Sequence, residues 1–105
     1  MRKILAVVLF GLLLAVHLLA LNFNAKQFTD ETGLKPASNK ATITITEGQS
    51  FQVTVVNLER LAALGVPTKG LKAGTSAKVT YTGKNRWRFV GASTDVPFDW
   101  KSLAT

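Results

Sequence analysis

The chain has 105 residues, no cysteine, and 13 Lys plus Arg against 6 Asp plus Glu, a formal charge of +7. The absence of cysteine excludes disulfide staples, thiolate metal sites and cysteine nucleophiles, so a small domain here must hold together by packing or by partners. Setting aside Arg2 and Lys3 leaves 11 basic against 6 acidic side chains from Asn22 onward, which points to an anionic partner or to simple solubility.

Met1-Arg2-Lys3 precedes Ile4 to Leu21, 18 residues without a charge. As a helix this run is roughly 27 Å long, close to a bilayer core of about 30 Å and longer than the apolar core of a typical cleaved signal. At its exit, Leu18 before Ala20 and Phe23 before Ala25 are not the small residues a cleavage site favours. The sequence therefore predicts an uncleaved transmembrane anchor over residues 1–21. With Arg2 and Lys3 at the cytoplasmic end, it is expected in the inner (plasma) membrane, the C-terminal part being periplasmic or extracellular. Lys26 and Lys35 on the other flank reduce that charge asymmetry.

Within the anchor, Gly11 and Ala15 form a small-xxx-small pair that would let a second helix approach closely, although glycine and alanine are also common in such helices. His17 is the only histidine and lies inside the apolar run, where an imidazole is costly without a partner. One reading makes it a ligand to a haem or a chlorophyll-type pigment, since neutral imidazole is a common axial ligand. In that respect the helix resembles light-harvesting polypeptides, from which it departs at Leu13, where they carry alanine. The other reading is a histidine near the interface, hydrogen-bonded to a neighbouring helix or headgroup.

Residues 22–40 are polar, contain Gly33 and Pro36, and lack a sustained period, so they read as a juxtamembrane linker. From Ala41 the pattern alternates, with Ile43 and Ile45 opposite Thr42, Thr44 and Thr46, then a turn at Glu47-Gly48-Gln49 and a second run through Phe51, Val53 and Val55. These two runs are expected to pair as a hairpin. Asn57 has the chemistry of an N-cap for a short helix over Leu58–Leu64, stopped by Gly65 and Pro67. Ala77, Val79 and Tyr81 then alternate with Lys78, Thr80 and Thr82, and a turn over Thr82–Asn85 leads into Arg86–Val90 as a second hairpin.

Two hairpins joined by a helix and a glycine loop over residues 41–105 give the expected fold class: one N-terminal transmembrane helix plus a small mainly-β domain. The stretch Gly70-Leu71-Lys72-Ala73-Gly74-Thr75-Ser76-Ala77-Lys78-Val79 resembles the strand-starting turn of small periplasmic barrels of the oligonucleotide/oligosaccharide-binding type, some of which bind copper. The resemblance implies an OB-like barrel or a related open β-roll. Copper chemistry does not come with it, because the only methionine is Met1 and the only histidine is His17.

Strand alternation puts Lys84, Arg86 and Arg88 on one face and Trp87 and Phe89 on the other. Together with Lys78 they form a candidate docking stripe for acidic protein or anionic lipid, or else an ordinary solvated outer face. Nucleic acid fits the charge but not the expected compartment. The tail Asp95–Lys101, with Phe98 and Trp100, is expected to pack on its own domain. No nucleophile with a base, paired acid and base, metal cluster or phosphate-binding glycine motif is legible from Asn22 onward.

The sequence thus predicts a non-catalytic accessory subunit of a larger membrane complex, of an energy-converting or photosynthetic kind, with other membrane subunits and lipid as partners. The alternative is a membrane-tethered or secreted module that binds an anionic ligand.

Overall fold

The computed structural model describes residues 20–102. They form a small mainly-β domain in chain order β1 (Ala20–Asn24), α1 (Ala25–Thr32), β2 (Leu34–Pro36), β3 (Thr42–Thr46), β4 (Ser50–Val55), α2 (Leu58–Ala63), β5 (Ser76–Gly83), β6 (Arg86–Gly91) and β7 (Thr94–Asp99). β1 and β3 make a two-stranded sheet, and the other five strands make a second sheet in the order β2-β4-β5-β6-β7. All strand pairs are antiparallel.

The segment expected as a linker is instead part of the fold. In β1, Leu21 and Phe23 point into the core while Asn22 points outward and accepts a 2.6 Å hydrogen bond from the Thr44 hydroxyl. Asn24 then caps α1, its side chain accepting from the Gln27 N–H at 2.8 Å. Gly33 ends the helix at φ 77° and donates its N–H to the Thr29 carbonyl. Its carbonyl accepts from the N–H groups of Val56 and Asn57, which ties the end of α1 to the start of α2. Ala25 to Pro36 spans only twelve residues, too few for a conspicuous period, yet Phe28, Thr32, Leu34 and Pro36 are all buried. The sequence pattern was too short to reveal this and the caps carry the signal.

The C-terminal end of the expected anchor also belongs to the domain, since Ala20 and Leu21 lie in β1 and Leu21 is buried in the core. Residues 1–19, including Gly11, Ala15 and His17, lie outside the described residues. Among the described residues no helix is long and apolar enough to cross a membrane.

β3 and β4 do not pair with each other as the hairpin reading expects. β3 pairs with β1, whereas β4 lies between β2 and β5. Around Gly48, at φ 91°, the chain changes sheets: the Gly48 N–H donates to the Tyr81 carbonyl and the Tyr81 N–H to the Gln49 carbonyl. Alternation fixes which face of a strand is buried but not which strand takes its edge, and here the edges are taken by β1 and β2.

The expected α2 cap, second hairpin and packed tail agree with the structure. Asn57 caps α2 by accepting from the Arg60 N–H, and Leu61 is the buried residue of that helix. β5 and β6 form a hairpin whose two turn residues, Lys84 and Asn85, both have positive φ, at 54° and 64°, the signature of a type I′ turn. Asparagine tolerates that conformation; a lysine there costs about 1 kcal/mol. β7 then pairs with β6 along its whole length, so the tail packs on its own domain.

An aromatic cluster fills the space between the sheets and α1. Phe23, Phe28, Trp87 and Trp100 have ring centroids between 5.0 and 6.0 Å apart, and Phe51 closes one side. Both indole N–H groups are used: Trp87 donates to the Trp100 carbonyl at 3.1 Å and Trp100 to Glu31 at 2.8 Å. A tryptophan can be buried at little polar cost only when its N–H finds such a partner.

Candidate functional site

The outer face of the five-stranded sheet is built by register. Opposed residues share a face, so Lys35 aligns with Thr54, Thr54 with Ser76, and Gln52 with Lys78. On the far side of β5, Lys78 stands opposite Val90 and Thr80 opposite Arg88, while Arg86 and Arg88 face Asp99 and Pro97 of β7. The surface is polar and rich in hydroxyls, and Ser50 and Thr80 are joined by a 2.7 Å hydrogen bond across the strands.

The structure therefore brings Lys78, Arg86 and Arg88 onto one face as expected, and separates Lys84 from them. Lys84 sits at the tip of the β5–β6 turn, beyond the pleated strand whose alternation placed it in the stripe. β7 also changes the charge of the face. Arg88 Nη1 lies 2.6 Å from Asp95 Oδ1 in an ion pair, and Asp99 stands opposite Arg86. Lys78 has no acidic neighbour in register, and Lys35 joins the same face from β2. The carboxylates were hidden because β7 looked like a tail, and Lys35 because β2 looked like a linker. The alternation of Asp95, Pro97 and Asp99 with Val96 and Phe98 was the available signal.

A second feature, which the sequence did not announce, is a shallow cleft of about 390 Å³ beside the start of α1. Lys26, Lys35 and Lys40 line it together with Asp30, Ser38 and Asn39. Asp30 hydrogen-bonds Lys26 at 2.8 Å, which holds that ammonium above its ordinary pKa and neutralises part of the cleft. Lys35 and Lys40 make no ion pair among the described residues. Where β3 and β4 diverge, a notch of about 320 Å³ is lined by Ile43, Ile45 and Phe51 with Thr44, Gln49 and Ser50.

No protein-family model, curated protein or solved structure matches this chain.

The chemistry the site supports must come from its own groups. Among the described residues no three His, Cys, Asp or Glu side chains converge as a metal site. The described acids are distributed over α1, α2, the Glu47 turn and β7. Glu31 holds the Trp100 indole, Asp30 holds Lys26 and Asp95 holds Arg88. What the surface offers is charge and hydroxyl groups on a rigid sheet, an arrangement suited to binding a flat, polar, anionic counterpart.

Proposed function

We propose that the chain is a non-catalytic accessory subunit of a larger membrane complex. Its apolar N-terminal run is the tether, and its β domain braces the complex on the periplasmic or extracellular side. The join at Ala20 is the observation that carries this reading. The apolar run passes into β1 with no intervening polar spacer, and Leu21 and Phe23 are buried in the domain core. A domain joined in this way has no slack with which to reach for a distant ligand, and is suited to rigid contact with neighbours in and beside the membrane. Lys78 and Lys35 supply unneutralised charge on the outer sheet face for an acidic partner surface.

The OB-like or open β-roll architecture belongs to this proposal as well. The chain bends at Glu47–Gln49 and so contributes β3 to one sheet and β4 to the other, the type of shared strand with which small barrels close. The energy-converting or photosynthetic setting rests on His17 in the apolar run as a candidate haem or pigment ligand.

Purification of the full chain in mild detergent tests the proposal: stoichiometric recovery with a large assembly is expected, and a lone monomer would sink it. The second reading, a tethered or secreted binding module for an anionic ligand, is favoured by the lysine-lined cleft between α1 and the segment after β2. Saturable binding of inorganic phosphate by a chain that purifies alone, lost on replacing Lys35 and Lys40 with Gln, would favour it.

A further inference from the structure

We propose that the Ala20 end of the domain is a membrane-docking surface, with Lys84 and Lys101 seated on anionic lipid headgroups. The proposal rests on the tether reading given above and names what the tethered domain touches.

Register places distant parts of the chain together at this end. Ala20 pairs with Thr46, and the turn after Thr46 bonds to Tyr81 through Gly48. Glu47 lies against Gly83, so the hairpin tip Lys84-Asn85 is its neighbour. The Trp100 N–H donates to the Asn85 carbonyl at 3.0 Å, which brings Lys101 to the same tip. The end of the domain at which Ala20 lies therefore also holds Lys84, Arg86 and Lys101, with Glu47 and Asp99 as the acids.

Lys84, Arg86 and Lys101 are all exposed and none makes an ion pair among the described residues; Arg86 differs in standing opposite Asp99 in register. Lys84 also breaks a local rule. A type I′ turn favours glycine or asparagine where the chain has lysine at φ 54°. A residue that strains its own turn and projects an ammonium from the tip is better explained by what it contacts than by the fold.

The geometry of the join supplies the counterpart. With Ala20 and Leu21 committed to β1, the uncharged run outside the domain is Ile4–Leu19, 16 residues. As a helix it would be roughly 24 Å long, shorter than a bilayer core of about 30 Å. A span of that length would be accommodated by local thinning of the bilayer and by snorkelling of its flanking residues, which keeps the start of the domain close to the headgroups. Basic groups at this end then meet the anionic surface. The lysine cleft lies at the opposite end, past Asn24 and Thr42, and so faces away from the bilayer.

The lack of cysteine allows a clean test in the full chain. Single variants Thr82→Cys, near the tip, and Asn39→Cys, at the far end, are labelled with a fluorophore and reconstituted in phosphatidylethanolamine/phosphatidylglycerol vesicles carrying a headgroup quencher. Quenching is expected at position 82 and not at 39. Lys84→Gln is expected to lower the docked population about fivefold. Lys84→Asn should raise the unfolding temperature while docking less, which separates this role from a structural one.

A chain that does not float with the vesicles overturns the tether and this proposal together. A chain that floats with both labels equally quenched overturns the docking alone. Quenching at position 82 that is unchanged by Lys84→Gln, or equal in phosphatidylcholine vesicles, overturns the role of charge.

Discussion

The Trp100 indole N–H donates to Glu31 Oε1 across 2.8 Å, joining the residue after the last strand to the first helix of the domain. The two residues are 69 positions apart, and the bond closes the fold over the aromatic cluster. It gives Trp100 two separable roles, a buried ring and a hydrogen-bond donor.

Trp100→Ala is expected to destabilise the domain by about 3–5 kcal/mol, because it empties a ring that packs on Phe23, Phe28 and Trp87. Trp100→Phe keeps much of the ring and loses the donor, so about 1 kcal/mol is expected beyond the change in volume. Denaturant unfolding of the full chain in detergent checks both. A similar small loss for the two variants would show that Trp100 is not packed as described.

Gly33 and Gly48 both have positive φ, at 77° and 91°, but differ in the space around them. A Cβ at Gly33 would lie 2.1 Å from the Asn57 carbonyl oxygen, which is backbone and cannot swing away, whereas one at Gly48 meets nothing within 4 Å. Gly33→Ala is therefore expected to cost about 3 kcal/mol, from conformational strain together with overlap. Gly48→Ala should cost about 1 kcal/mol from conformation alone. Thermal unfolding of the pair compares them directly, and equal shifts would contradict the close approach of α1 to α2.

Truncation tests how much of the N-terminal region the domain needs. A chain starting at Leu21 keeps Leu21 and Phe23 and is expected to fold. One starting at Lys26 loses β1 and leaves Ile43 and Ile45 of β3 without their partner strand. The second variant is expected to lose the near-ultraviolet circular dichroism of the buried tryptophans. A native-like spectrum from it would refute the role of β1 in the core.

The outer face predicts an asymmetry between two cations. Arg88 is already paired with Asp95, and since both side chains are about half exposed the pair itself contributes at most about 1 kcal/mol to stability. Arg88→Gln should change both stability and partner retention little. Lys78→Glu should weaken retention about fivefold, with release from the assembly at lower salt. Salt titration of the immobilised chain measures this, and equal behaviour of the two variants would remove the sheet face from the interface.

The sequence alone determined the elements whose pattern is both long and local. The Asn57 cap, the alternation that buries Val79, Tyr81, Trp87 and Phe89, and the turn before Arg86 follow from dihedral preference and side-chain period, which neighbours in the chain decide. Tertiary structure decided what depends on distant partners. β1 and β2 are too short to carry a period, and they became strands because β3 and β4 presented open edges to them. The same pairing separated β3 from β4, and the pairing of β6 with β7 brought Asp95 to Arg88. The bonds of the Glu47–Gln49 turn to β5 and of Trp100 to Asn85 placed Lys84 and Lys101 at the Ala20 end of the domain, since the register of a sheet is set by which strands meet, and no single strand contains that information.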